Sequence, residues 1–353
     1  MSLLAPTEHE ASAAHLLELA DFNPANCTVT PLPGGRNNRV FEVRSAAGVH
    51  LMKQYQHNPA DTRDRLGNEI AFLRQLERVG CTVGPHLFAC IPDEHLSLME
   101  HLDGAPLQPG QINETEVDQA VEFFLMANSD QTSDHARSLP VASEACFSIA
   151  QHLATTQRRV DRLAQITVDD DLDASAELFA RKEVAEVWSG IRAAILAEWP
   201  GDAARAELLP RYERCLSPSD FGFHNALRET NGRIRFLDFE YAGWDDPAKL
   251  ICDFANQPDM PLTRALGNRF RDAVIAAHRN PEALHRRAIA LRPLYQLKWA
   301  CICLNDFLPA GRQRLDFTHG AAVDRRARRA DQLQRARQML ARATSLFTRN
   351  PFE

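Results

Sequence analysis

Residues 217–225 read SPSDFGFHN, and residues 236–240 read FLDFE. Within them Asp220, Asn225 and Asp238 follow the spacing D-x4-N-x12-D, among aromatic and apolar neighbours. Buried polar groups are costly unless partnered, so three oxygen-bearing side chains in hydrophobic stretches ask for something cationic to hold. The pattern suits phosphoryl transfer from a nucleotide. One carboxylate orients or accepts the proton of an attacking hydroxyl, while an amide oxygen and a second carboxylate hold magnesium against the phosphates. The spacing alone fits equally a turn residue, a turn end and a strand end. The N-terminal half separates the two readings.

There, Pro33-Gly34-Gly35-Arg36-Asn37-Asn38 lies between two strand-like runs. Glycines at such a place let backbone amides approach phosphate oxygens. No GK[ST] follows and no helix opens after it, which excludes a Walker A loop and a dinucleotide fingerprint; an ordinary hairpin turn is the alternative. Lys53 sits on the run HLMKQY, and Glu69 on the next helical stretch, bordering the apolar stripe Leu66, Ile70, Leu73 and Leu76. A carboxylate beside that stripe is expensive to desolvate without a cation, and Lys53 is the obvious one.

The same segments set the architecture. A short helix is expected over residues 8–20, followed by strands CTVTPL, VFEVRS and HLMKQY, the last two forming a hairpin closed by Ala-Ala-Gly. Helical spacing runs from Ala60 to Val79, and two more strands, HLFAC and LSLME, flank the break IPDEH. After His101-Leu102-Asp103-Gly104 the chain turns mostly helical, over 114–129, 143–166, 173–198 and 203–214. Two short strands bracket Glu-Thr-Asn-Gly at 229–232, and the chain ends in an arginine-rich helix. The fold class is therefore α+β: a small antiparallel-sheet region with one main helix, then a larger helical one, with the division placed between residues 1–103 and 104–353.

Taken in order, glycine turn, strand lysine, helix glutamate, hinge, aspartate, asparagine and second aspartate resemble the two-lobed protein-kinase-like fold, and within it the aminoglycoside phosphotransferase and choline kinase family. The resemblance spans about residues 25 to 310, with its strong motifs in four short stretches. It implies an ATP- and Mg2+-dependent kinase acting on a hydroxyl of a small molecule. On it, Asp220 matches the catalytic aspartate, Asn225 and Asp238 the metal ligands, and Lys53 with Glu69 the phosphate-binding lysine and its partner. Gly34, Gly35 and Asn38 match the nucleotide turn, LSLMEHLDGAPL the linker holding the base near Glu100 and Leu102, and Asp246-Pro247 a downstream pair. Two departures stand out. Pro218-Ser219 replaces the family's His-Gly before the catalytic aspartate, and Leu250 stands where an aspartate is usual, with Asp253 later.

Composition narrows the alternatives. The chain has 353 residues, 44% hydrophobic and 25% charged, with a formal charge of −7, enough for two subdomains with a sizeable core. Eight scattered cysteines without a CxxC pair favour a reducing compartment. The acidic start lacks a signal-peptide pattern, and no 18-residue apolar run occurs, so a cytoplasmic protein without membrane attachment is expected. The arginines of the C-terminal helix lack interleaved aromatics, so nucleic acid is not an expected partner and a solvated face over Leu333, Ala336, Leu340 and Ala343 is. The run Asp169-Asp170-Asp171-Leu172-Asp173 reads as a solvated acidic loop at a helix start. Tyr295 and Trp299 read as core packing, or as aromatics facing an acceptor amine. A nucleotide-binding pseudokinase acting as an interaction module is the alternative function. A protein kinase is disfavoured, because no A-P-E-type ending follows FLDFE. The acceptor, the oligomeric state and ATP against GTP stay open.

Overall fold

The structure is a computed structural model, and it describes residues 8–33, 38–56, 63–309, 311 and 324–348. Five strands form one antiparallel sheet in the order β1-β2-β3-β5-β4: β1 (Thr28–Leu32), β2 (Asn38–Ser45), β3 (Gly48–Tyr55), β4 (Leu87–Ile91) and β5 (Leu96–Glu100). The β2–β3 hairpin closes with Ser45 opposite Gly48, whose φ of +123° suits a residue without a Cβ. The period-two alternation of β3 decides what faces where. Met52 turns to a core shared with Phe41, Val43 and Leu98, covered by Ala13, Leu16 and Leu17 of helix α1 (Glu8–Leu19). Lys53, one residue on, faces the opposite side and lines a cleft.

Helix α2 (Arg65–Arg78) is capped by Asp64, which accepts a hydrogen bond from Gly67 N at 2.8 Å. Its buried stripe holds Leu66, Ile70, Leu73 and Leu76 as expected, with Phe72 in addition, and Glu69 is buried among them. The helix begins at Arg65 rather than Ala60, and residues 57–62 lie outside the described residues. Phe72 packs on Phe239 with ring centroids 4.9 Å apart, which joins this helix to the second motif stretch. One apolar core runs from Phe72, Leu73 and Met99 into the helical remainder.

That remainder is built from α3 (Glu114–Ala127), α4 (Asp134–Ser138), α5 (Ile149–Arg162), α6 (Asp171–Phe179), α7 (Ala185–Glu198), α8 (Asp202–Ala206), α9 (Pro247–Asn256), α10 (Arg264–Ala276), α11 (Pro281–Cys303) and a last helix, Arg325–Thr348. Two helical expectations were too long. The stretch expected from 143 starts only at Ile149, where Ser148 caps it by accepting from Gln151 N. The stretch over 203–214 stops at Ala206, and after Pro210 only a single 3-10 turn forms before strand β7 (Cys215–Ser217). β7 pairs with β10 (Gly243–Asp245), while β6 (Ala105–Pro106), β8 (Ala226–Arg228) and β9 (Ile234–Phe236) make a small sheet. Of these, β6, β7 and β10 are too short to leave a period in the sequence. The strand after the turn at 229–232 ends at Phe236, and Asp238, two residues on, is left-handed at φ 67°.

The acidic run lies at a helix start as expected, with Asp169 and Asp171 exposed and Asp173 buried. Asp170 caps α6, and Arg326 and Arg329 of the last helix bind it: Arg329 reaches Asp170 at 2.8 Å and Asp173 at 2.5 Å, and Arg326 reaches Asp171 at 2.9 Å. Leu333, Ala336, Leu340 and Ala343 are buried as anticipated, and the last helix packs along α11. The arginines that suggested a solvated face thus include two that fasten this helix to α6. Among the described residues no helix is long and apolar enough to cross a membrane, and all eight cysteines are free thiols.

Candidate active site

The SPSDFGFHN stretch alternates between two environments. Phe221 and Phe223 are buried in an aromatic cluster with Phe123, Phe236, Phe254 and Phe270. Asp220, His224 and Asn225 are only partly buried and line a cleft of about 1190 Å3. The hydrophobic neighbours that looked at odds with three polar side chains are the anchor of the loop that presents them. Asn225 donates from Nδ2 to the Asp220 carbonyl at 3.0 Å, and its own carbonyl accepts from Leu237 N at 3.0 Å. The loop is thereby tied to the end of β9, and Asp238 follows one residue later.

Lys53 comes from the sheet to meet this pair of loops. Its Nζ lies 2.6 Å from Glu69 Oε2 and 2.5 Å from Asp238 Oδ1. Glu69 is held in turn by the Tyr55 hydroxyl at 2.6 Å and by Phe239 N, which donates to Oε1 at 3.0 Å. Burial by itself would lower the Lys53 pKa. The carboxylates of Asp238 and Glu69 outweigh it and hold the ammonium well above its ordinary value. A carboxylate at the apolar border of α2 is therefore satisfied by one cation and two further donors, as its burial requires.

Asn38 on β2 is buried, and its Nδ2 donates to Glu240 Oε2 at 2.7 Å, so the end of the FLDFE stretch grips the strand after the glycine turn. Its Oδ1 is buried without a hydrogen-bond partner among the described residues. Gly34 and Gly35 lie outside the described residues. Glu100 donates its N–H to His86 O and binds Arg235 through Oε2 at 2.7 Å. Asn38, Lys53, Glu69, Glu100, Leu102, Asp220, Asn225 and Asp238 all line the one cleft.

Residues 28–290 match the model of the phosphotransferase enzyme family. The chain belongs to that family. Its fold is shared at low identity by solved structures with several substrates in their names. A choline/ethanolamine kinase family protein from Mesorhizobium loti is 18% identical, with a TM-score of 0.58, covering 96% of this chain and 98% of that one. A macrolide 2'-phosphotransferase from Brachybacterium faecium is 15% identical, at a TM-score of 0.53, covering 84% and 93%. An ADP-bound aminoglycoside phosphotransferase is 16% identical, at a TM-score of 0.51, covering 95% and 99%. The comparison with curated proteins gives no match. The two-lobed protein-kinase-like fold expected from the motif order is the fold of this phosphotransferase.

Three residues of the phosphotransferase's site had no individual signal in the sequence. Arg235 joins Glu100, Glu229 and the carbonyls of Val83 and Gly84, bracing the connection between the sheet and the remainder. Glu240 is legible only once Asn38 is seen opposite it. His224, inside the loop that carries Asp220, places Nε2 3.2 Å from Asp220 Oδ1. Where the family usually has glycine, Ser219 adopts φ 69°, so the turn keeps a left-handed backbone without the residue that favours it.

Proposed function

We propose that this phosphotransferase moves the γ-phosphoryl group of ATP to a hydroxyl of a small molecule, with magnesium. The observation that carries the reading is the Lys53 bridge: one ammonium between Glu69 on α2 and Asp238 beyond β9, in the same cleft as Asp220 and Asn225. In this reading the acceptor oxygen attacks the γ-phosphorus, the bond to the ADP oxygen breaks, and the hydroxyl proton passes to Asp220. Lys53 holds the α- and β-phosphates, and Glu69 fixes the lysine. The amides of Gly34 and Gly35 cover the phosphates, Asn38 supports that turn, and backbone groups from Glu100 to Leu102 receive the base.

The donor set fits a hard cation. Asn225 has committed Nδ2 to the Asp220 carbonyl, which leaves its Oδ1 as the ligand atom, and Asp238 supplies a carboxylate beside it. Among the described residues no three His, Cys, Asp or Glu side chains form a metal site by themselves, so the remaining ligands would be phosphate and water oxygens. When bound, magnesium neutralises phosphate charge.

The lobes in this reading are residues 1–103 and 104–353, with the cleft between them, and the free thiols and use of ATP suit the cytoplasm. Titration of ATP with and without magnesium, then an ATP-consumption screen over amines, sugars, nucleosides and aminoglycosides, tests the proposal. Magnesium-dependent ADP formation that requires an acceptor is expected. Magnesium-dependent ATP binding without turnover would point instead to a pseudokinase acting as an interaction module.

A further inference from the structure

We infer that the acceptor of this phosphotransferase carries an anionic group, a carboxylate or a phosphate, received near Arg158. This rests on the phosphotransfer reading and specifies its second substrate. Beyond Asp220 the cleft wall is made by residues 143–162, 249–259, 298–306 and 328–335, and it holds seven Lys or Arg side chains against four Asp or Glu.

Each of those four carboxylates is already ion-paired within the protein. Arg159 binds Glu144. Lys298 reaches Asp253 at 2.7 Å, and Trp299 Nε1 donates to the same carboxylate at 3.0 Å. Arg335 meets Asp259 at 2.5 Å, and Arg328 meets Asp306 at 2.8 Å. Burial would raise the Glu144 pKa, but Arg159, Lys298 and Lys249 hold that carboxyl down at about 2. Every carboxylate of this wall already has its charge matched by a cation of the protein, and the wall's cations outnumber its carboxylates by three.

The aromatic faces are taken as well. Lys298 Nζ stands 4.6 Å from the Tyr295 ring centroid and 5.6 Å from that of Trp299. The Tyr295 hydroxyl is bound to His152 Nδ1 at 2.7 Å. A quaternary amine seeking these rings would meet a protein cation already there. Arg158, by contrast, donates to a neutral oxygen, Thr155 Oγ1 at 3.0 Å, from an exposed position at the rim. A guanidinium at the cleft rim whose hydrogen-bond partner is a neutral hydroxyl keeps its charge for a planar or tetrahedral oxyanion.

The test uses the full chain with Mg–ATP and acceptors of equal skeleton. Hydroxy acids are set against diols and amino alcohols; sugar acids and sugar phosphates are set against sugars and amino sugars. The anionic members are expected to give kcat/KM about tenfold or more above their neutral counterparts, as charge-assisted recognition provides. The two anionic series separate a carboxylate from a phosphate. Arg158→Gln should raise the KM for the anionic acceptor about tenfold and leave the KM for ATP unchanged, and Arg158→Lys, which keeps the charge but not the fork, should restore only part of the loss. Turnover confined to amino alcohols or amino sugars would overturn this inference alone, as would an Arg158→Gln effect on the KM for ATP only. Silence of every series would overturn the phosphotransfer reading and this inference with it.

Discussion

Lys53 Nζ stands 2.6 Å from Glu69 and 2.5 Å from Asp238, so one buried ammonium joins a sheet strand, a helix and the loop beyond β9. Glu69 also accepts from Tyr55 and from Phe239 N. Glu69→Ala removes the acceptor of all three donors and leaves Lys53 with Asp238. It should cost about 3–5 kcal/mol of stability in denaturant melts. Lys53→Met leaves the buried Glu69 and partly buried Asp238 carboxylates without their shared cation and should cost at least as much, while abolishing phosphoryl transfer. A clearly smaller stability loss in Lys53→Met than in Glu69→Ala would contradict this ranking.

The turn before Asp220 gives a second prediction. Ser219 holds φ 69° and donates its N–H to Ser217 Oγ at 3.0 Å. A left-handed backbone strains a residue with a Cβ by about 1–2 kcal/mol, part of which glycine gives back through its freer unfolded chain. Ser219→Gly should therefore stabilise the protein by about 1 kcal/mol or less in urea melts, with turnover retained. A loss of stability would mean that the serine contributes more here than its backbone strain takes away.

The pairing of Lys53 with Glu69 could be anticipated because a carboxylate bordering an apolar helical stripe needs a cation, and β3 supplied one of the right length. The loop bearing Asp220 and Asn225 was legible because oxygen-bearing side chains at the spacing D-x4-N-x12-D stand among aromatic and apolar neighbours. The bracing was not. Arg235, Glu240 and the last helix's Arg326 and Arg329 act through partners more than 100 residues away, and spacing carries no trace of such contacts. The helix expected over 203–214 failed because Pro210 sits where its backbone would have to continue. The acceptor wall was unreadable because it draws on four separate segments.

His152 supplies a pH prediction. Its ring is buried, with Nδ1 2.7 Å from the Tyr295 hydroxyl and Nε2 3.3 Å from Asp246. Burial would lower its pKa, but Cys146 and Asp246 raise it to about 9. A folded-state pKa above the unfolded one stabilises fully below about 6.5, and that contribution is lost as pH rises through about 9. Burial would raise the Cys146 thiol pKa, but His152 lowers it, so Cys146 gains stability over the window in which His152 loses it. Cys146→Ser therefore isolates the histidine: in that background the melting temperature should decline as pH rises above about 6.5, and adding His152→Gln should flatten the decline. Asp246, held near 2 against burial by His152 and Arg287, acts at the acid end and leaves this window untouched.

The central claim is that Asp220 serves the acceptor hydroxyl while Lys53, Asn225 and Asp238 serve the nucleotide. Asp220→Ala separates the two roles, because Lys53 is held by Glu69 and Asp238, and Asn225 by the Asp220 backbone carbonyl, which the variant keeps. The measurement is single-turnover phosphoryl transfer from enzyme-bound Mg–ATP, with the ATP dissociation constant determined on the same sample. The account predicts transfer slowed by about 10²–10⁴-fold, with ATP affinity unchanged within a factor of about three. Transfer at a near-normal rate, or a loss explained wholly by weaker ATP binding, would contradict it.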